Sequence, residues 1–186
     1  MKRLLLGFML ASAIACKGEP PPPADASPFF EAPGDPTDKK KWTVSPQGVG
    51  PVQIGMTADA IRAALADSNL ADAADGTCTY VRSRKLPRGT SLMLNNGRLV
   101  RIDVDSAGVM TDEGLQVGDS EVAVMVMYSG RVSVESDKFL GPPAHVITVS
   151  APNDTSRALV FTTDGSAVKS YRAGRRGAVE LVERCG

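Results

Sequence analysis

The sequence predicts an α+β fold: two helix–β–β–β half-repeats, mostly antiparallel sheet, tied by one disulfide. Three observations carry this expectation. A short motif that starts a helix occurs twice, at Gln53-Ile54-Gly55-Met56-Thr57 and at Gln116-Val117-Gly118-Asp119-Ser120. Each copy is followed by strand-like runs, and a run in each half is turned at Asn96-Gly97 or Asp164-Gly165, dipeptides that favour the positive φ of tight hairpins. Two cysteines, Cys78 and Cys185, bracket most of the region so patterned.

The chain begins with Met1-Lys2-Arg3, then Leu4-Leu5-Leu6-Gly7-Phe8-Met9-Leu10-Ala11, then Ser12-Ala13-Ile14-Ala15-Cys16. A positive start, a short apolar run and small residues before a cleavage point are the parts of an export signal. The apolar run of about eleven residues falls short of the roughly twenty needed to span a bilayer. Residues 1–15 are therefore expected to be a removed signal peptide. Ala13-Ile14-Ala15-Cys16 resembles the lipobox read by lipoprotein signal peptidase, with Ala13 where Leu is commoner. The resemblance implies diacylglycerol on the sulfur of Cys16, because a thiolate is the nucleophile that accepts it. Two or three acyl chains hold a protein on a membrane where one is marginal. The other reading of the same residues is an ordinary secretory signal cut after Ala15. Lys17 follows the cysteine; in lipoproteins of the familiar type Asp there retains the protein at the inner membrane, so Lys17 leans to the outer membrane.

Residues 16–41 read as a tether. Pro20-Pro21-Pro22-Pro23, then Pro28, Pro33 and Pro36, favour extended polyproline conformation over a packed core. At about 3 Å per residue such a segment reaches up to ~75 Å. Phe29-Phe30 and Lys39-Lys40-Lys41 punctuate it; the first reads as a docking motif or a segment lying on a surface, the second as solvated or touching anionic headgroups.

Residues 42–186 are expected to form one globular domain, with half-repeats at about 48–112 and 113–186, long enough for a real core. Thr57 and Ser120 are natural N-caps. After them Ile61, Ala64 and Leu65, and Val124, Met127 and Tyr128, fall at helical spacing, although the Val content of the second stretch also admits a strand. In the first half the strand signals are Cys78–Val81, Ser91–Leu94 and Arg98–Asp105, the last alternating strictly from Val100. In the second half they are His145–Val149, Ala158–Thr162 and Ser166–Arg172, with a last strand at Ala178–Val182 delivering Cys185. One helix covers little of a small sheet, and two units packed together cover more, which is the logic of a duplicated fold.

Val52-Gln53-Ile54-Gly55-Met56-Thr57, with Ile61 and Leu65 after it, resembles the "GMT" helix start of the SmpA/OmlA family, which includes the small lipoprotein of the outer-membrane barrel-assembly machinery. The tandem units also resemble those of the secreted β-lactamase inhibitor protein, and the chain as a whole resembles bacterial lipoproteins. It departs from both in having one helix per unit, and from the barrel-assembly lipoprotein in lacking the Gly-x-Pro after the helix. The resemblance implies a non-catalytic binding or assembly role, or inhibition of a periplasmic or foreign hydrolase.

Chemistry follows from what charge and cysteine usage allow. Lys and Arg number 21, as do Asp and Glu; without Lys2 and Arg3 the mature chain is slightly acidic. No basic excess recruits nucleic acid, and one Trp and three Tyr offer few stacking surfaces. With Cys16 acylated, Cys78 and Cys185 remain, and in an exported protein the default for such a pair is a disulfide rather than two buried thiols. The single histidine, His145, has no Gly-x-Ser-x-Gly for company and reads as packing or turn-capping. Asp103-Val104-Asp105-Ser106-Ala107-Gly108 resembles the start of an EF-hand loop, but Ala107 and Gly114 stand where oxygen ligands belong, so strand-end acids are expected. No metal and no cofactor is expected, and no catalytic site. Lys169, Arg172, Arg175 and Arg176 form a local basic run, read either as a binding patch or as a solvated hairpin turn. The expectation is therefore a lipid-anchored envelope protein, not an enzyme, whose partners are the membrane and another envelope protein. A small-ligand receptor or an enzyme is the remaining class, and it would need a pocket at His145 or at Asp103 and Asp105.

Overall fold

The computed structural model describes residues 42–70 and 77–185. The expected signal peptide at residues 1–15, the expected lipidation at Cys16 and the expected tether to residue 41 lie outside the described residues.

The described chain starts with a small antiparallel meander, β1 (Val44–Ser45), β2 (Gly48–Val49) and β3 (Val52–Gln53). Helix α1 (Ala58–Leu65) follows, then β4 (Cys78–Val81), β5 (Thr90–Asn95) and β6 (Arg98–Val104). Helix α2 (Glu121–Met127) opens the second half, followed by β7 (Val132–Ser136), β8 (His145–Ala151), β9 (Asp154–Thr163) and β10 (Val168–Arg175). A single helical turn, α3 (Arg176–Val179), precedes an irregular tail. The seven longer strands form one sheet in the order β4-β5-β6-β10-β9-β8-β7, and every pairing is antiparallel.

Both helix starts are built alike. Thr57 Oγ1 accepts from the amide of Ala60 at 3.3 Å, and Ser120 Oγ accepts from Ala123 at 3.1 Å. Each satisfies an amide that the first turn leaves without a helical partner. Gly55 and Gly118 sit at φ +97° and +98°, a left-handed backbone that favours glycine. From there the amide of Gly55 donates to Leu99 O at 2.7 Å and that of Gly118 to Val168 O at 2.9 Å. The amides of Leu99 and Val168 return bonds to Met56 O and Asp119 O, both at 2.8 Å. So each helix start is stitched to the strand that leaves its own hairpin turn. The two stitched strands, β6 and β10, are neighbours at the centre of the sheet, paired from Tyr171↔Val104 to Gly174↔Arg101. The halves therefore meet across one strand pair and share one continuous sheet.

The core lies on one face of that sheet. Ile61 and Leu65 of α1, Val124 of α2 and Tyr128 at its C-terminal cap pack there with Leu92, Leu99, Ile102, Ile147 and Phe161, and the meander adds Val44, Val49 and Val52. Tyr128, Phe161 and Tyr171 stack in a row, with ring centroids 5.8 and 5.5 Å apart. Full burial of a side chain such as Phe161 contributes about 2–3 kcal/mol. The Cys78–Cys185 bond closes between Cα atoms 5.4 Å apart and ties the start of β4 to the tail.

Four details differ from expectation. The valine-rich stretch after Ser120 is a helix, as its cap dictates, but Met127 is 51% exposed and the buried stripe narrows to Val124 and Tyr128. Strand β7 and the two-residue strands β1–β3 were not anticipated. No strand forms at Ala178–Val182: β10 already has β6 and β9 on its two edges, so no place in the sheet adjoins it. The chain turns instead into α3, and Val179 packs on Ala158 and Val160 of the sheet's second face. Nor is there a hairpin turn at Arg172–Gly177; β10 runs straight through Arg175 into α3.

Candidate binding cleft

The second face carries the charged groups. On β6 the residues Ile102 and Val104 enter the core, so Arg101 and Asp103 between and beside them project to the opposite side; a register shift at Val100 lets Leu99 reach the core as well. Arg172 lies across from Asp103 on β10, and Gly174 lies across from Arg101. A Cβ at Gly174 would stand 2.3 Å from Val100 O, so the strands approach there only because the residue is glycine.

Arg101 is 1% exposed, and each nitrogen of its guanidinium donates at least one hydrogen bond. Nε donates to Asp103 Oδ2 at 3.1 Å and Nη2 to the Tyr80 hydroxyl at 2.6 Å. Nη1 donates to Ala178 O and Leu181 O, both at 2.9 Å. Tyr80 in turn donates to Asp103 Oδ2 at 2.9 Å, and burial, reinforced by the Asp103 charge, pushes its pKa up to about 12. The guanidinium of Arg172 donates to Leu181 O as well. Its pKa is lowered by burial and by the charge of Arg101, against the opposing pull of Asp103. Carbonyls of α3 and the tail thus serve as acceptors for two buried cations, and the disulfide keeps that tail in place.

Beside this network lies a half-open cleft of about 310 Å³. Asp103 and Arg172 form its floor, Val182 of the tail one wall, and the β7–β8 connection with Asp137, Phe139 and Leu140 the other. Asp137 is buried, and its Oδ1 accepts from the amides of Phe139 and Leu140 at 2.8 and 2.9 Å, which fixes the turn. That turn presents Phe139 and Leu140 to solvent at 69% and 66% exposure.

The basic run does not form one surface. Lys169 pairs with Asp164 at 2.9 Å at the β9–β10 turn, and Arg172 is buried in the cleft floor. Arg175 and Arg176 line a separate, more open depression of about 1020 Å³ with Arg98 and Arg157. Within it Arg176 bonds Thr155 O, Ser150 Oγ and Glu180. His145 stands with Nδ1 at 3.0 Å from both oxygens of Glu121, which also accepts from Thr163. The trio closes the first turn of α2 onto β8 and β9. Asp103 is held by Arg101, and Asp105 lies 3.9 Å from Arg184. Among the described residues no group of three or more His, Cys, Asp or Glu is placed to hold a metal ion.

Sequence reasoning reached Arg172 but not Tyr80, Arg101, Asp137 or Phe139. Phe139-Leu140 just before Gly141-Pro142-Pro143 is the signal that was available: two large apolar residues held in a turn.

No protein-family model and no curated protein matches the chain. Among solved structures it is similar to the uncharacterized protein yfeY from Escherichia coli, at TM-score 0.44 and 17% identity, over 72% of this chain and 99% of that one. It is also similar to an extracellular protein containing a SCP domain from Bacillus anthracis, at TM-score 0.44 and 8% identity, over 67% of this chain and 45% of that one.

Proposed function

We propose that the protein is a lipid-anchored module of the bacterial envelope that binds another envelope protein, with the cleft face as its binding face. The address rests on the signal, on Cys16 in its lipobox-like setting, and on the proline-rich tether after it. Lys17 favours the outer membrane, and the tether gives the domain reach into the periplasm.

The observation that carries the binding role is the cleft itself. Phe139 and Leu140 are large apolar side chains held in solvent by a turn that a buried carboxylate fixes, beside a concave and charged floor. Exposed apolar groups rimming a concavity are a usual mark of a recognition surface.

Photo-crosslinking amino acids at Phe139 and Leu140, activated in intact cells, test the reading. One dominant envelope protein should be captured at both positions. A blank at both, with the protein present at normal level, would refute it. The intact mass from the same cells should lack residues 1–15 and include acyl groups; a chain with those residues retained and no acylation refutes the anchor.

A further inference from the structure

The cleft holds two opposite charges that are not joined to each other. Arg172 is 8% exposed and Asp137 6% exposed, so both are nine-tenths buried. Among the described residues Arg172 makes one hydrogen bond, through Nη1 to Leu181 O, and no ion pair with an acid. Its Nε and Nη2 have no protein partner. Asp137 has both its bonds on Oδ1, which leaves Oδ2 without one. Asp103 likewise uses Oδ2 for Arg101 and Tyr80, and Oδ1 is left over. None of these spare atoms is sealed inside the protein, because Thr90 Oγ1 is the only sealed and unpartnered side-chain polar atom among the described residues. All three residues line the cleft.

A buried guanidinium without a carboxylate partner is costly unless something completes it. A simple anion would satisfy Arg172 but would meet Asp103 and Asp137. A simple cation would satisfy the acids and be repelled by Arg172. A molecule that carries both charges close together satisfies both sets. The apolar side of the cleft (Phe139, Leu140, Val146 and Val182) asks for a hydrocarbon body on the same molecule. The volume of about 310 Å³ lies at the small end of ligand sites, which run from ~300 to 1,000 Å³.

We propose that this cleft binds a free α-amino acid with an apolar side chain. The carboxylate lies on the free edge of the Arg172 guanidinium, whose planar fork suits a two-point contact. The ammonium donates to Asp137 Oδ2 and Asp103 Oδ1, and the side chain rests against Phe139 and Val182. This assignment takes from the proposed function that the cleft is the binding face, and it adds a small ligand to that face.

The test is calorimetric titration of the full acylated chain in detergent with L-leucine. Saturable binding is expected. Isoamylamine, which lacks the carboxylate, and 4-methylvalerate, which lacks the ammonium, should each bind at least about tenfold more weakly, as loss of a charge-assisted contact requires. Arg172→Gln keeps a donor for Leu181 O, and Asp137→Asn keeps the acceptor for the two amides. Each should weaken leucine about tenfold or more while the urea transition is unchanged. Phe139→Ala removes an exposed ring with no core role and should weaken binding several-fold even if a charge variant fails to fold.

The proposal is overturned if no apolar amino acid binds, or if the amine or acid analogue binds as tightly as leucine. It is also overturned if N-acetyl-leucine binds as well or better, which would point to the carboxyl terminus of a chain. A calorimetric blank with crosslinks still captured at Phe139 removes the amino acid and leaves the protein partner. Leucine binding with no crosslinks removes the protein partner and leaves the ligand.

Discussion

Replacing Arg101 by Met tests how the second face is held. The substitution keeps an unbranched stem and removes the guanidinium, so Asp103 loses its ion pair and the carbonyls of Ala178 and Leu181 lose a shared donor. Removing one member of a buried ion pair costs about 3–5 kcal/mol, because the partner is left charged and poorly solvated. Asp103 is only 7% exposed, and four hydrogen bonds go with the guanidinium, which supports the upper half of that range. With a urea m-value of about 2 kcal/mol/M, a loss of about 4 kcal/mol lowers the midpoint by roughly 2 M. The single tryptophan, Trp42, is partly buried against the main core and reports the transition by fluorescence. Adding Asp103→Leu should recover most of the loss, since exchanging both partners of a buried pair for apolar groups is often near neutral. A single-variant loss below about 1 kcal/mol, or no recovery in the double variant, would refute the claim that the pair behaves as a buried one.

Replacing Cys78 and Cys185 by Ser opens a loop with a sequence separation of 107; the chain-entropy model puts the loss at up to about 4.7 kcal/mol. Identical urea midpoints for the oxidised and reduced wild-type chain would contradict it. All three tyrosines should resist ionisation. Burial raises Tyr128 and Tyr171 well above their ordinary value of 10.0, and burial with the Asp103 charge raises Tyr80 to about 12. Their stabilising effect is present below the unfolded pKa and is lost as pH rises through it, so phenolate absorbance should lag in the native protein near pH 10.5 (roughly) and appear together with unfolding. Asp164 behaves oppositely. The amide of Ala167, Lys169 and the amide of Ser166 hold its pKa below the ordinary 3.8, so its contribution is present above that value and is lost as pH falls below it. Asp164→Asn should flatten the acid limb of a stability–pH curve; an unchanged limb would contradict the assignment.

Much of the fold was readable because local signals agreed with one another. The capped helix starts, the two Gly-turned hairpins and the alternating runs each point to the same element at the same place. The misses have physical causes. Strand β7 carries Val132 and Val134 in alternation, but its partner β8 begins nine residues later across a Pro-Pro turn, so no tight hairpin signal marks it. In Val100-Arg101-Ile102-Asp103-Val104 the charged positions read as a solvent face. That reading fails because α3 and the disulfide-bound tail cover the second face, a contact with residues 77 and 80 positions away. Alternation tells which residues share a side of a strand; it does not tell what lies on each side. The cleft was hidden for the same reason, since its floor comes from β6 and β10 and its walls from a loop and the tail.

Because a ribosome delivers the chain from its N-terminus, Cys185 and the carbonyl of Leu181 arrive after Arg101 and Arg172. Until the tail is laid down, both guanidiniums of the second face stand uncovered and β4 lacks its covalent clasp. Completion of the second face thus waits on residues 181–185, and a chain interrupted before them would keep the residues of its main core yet have no finished cleft.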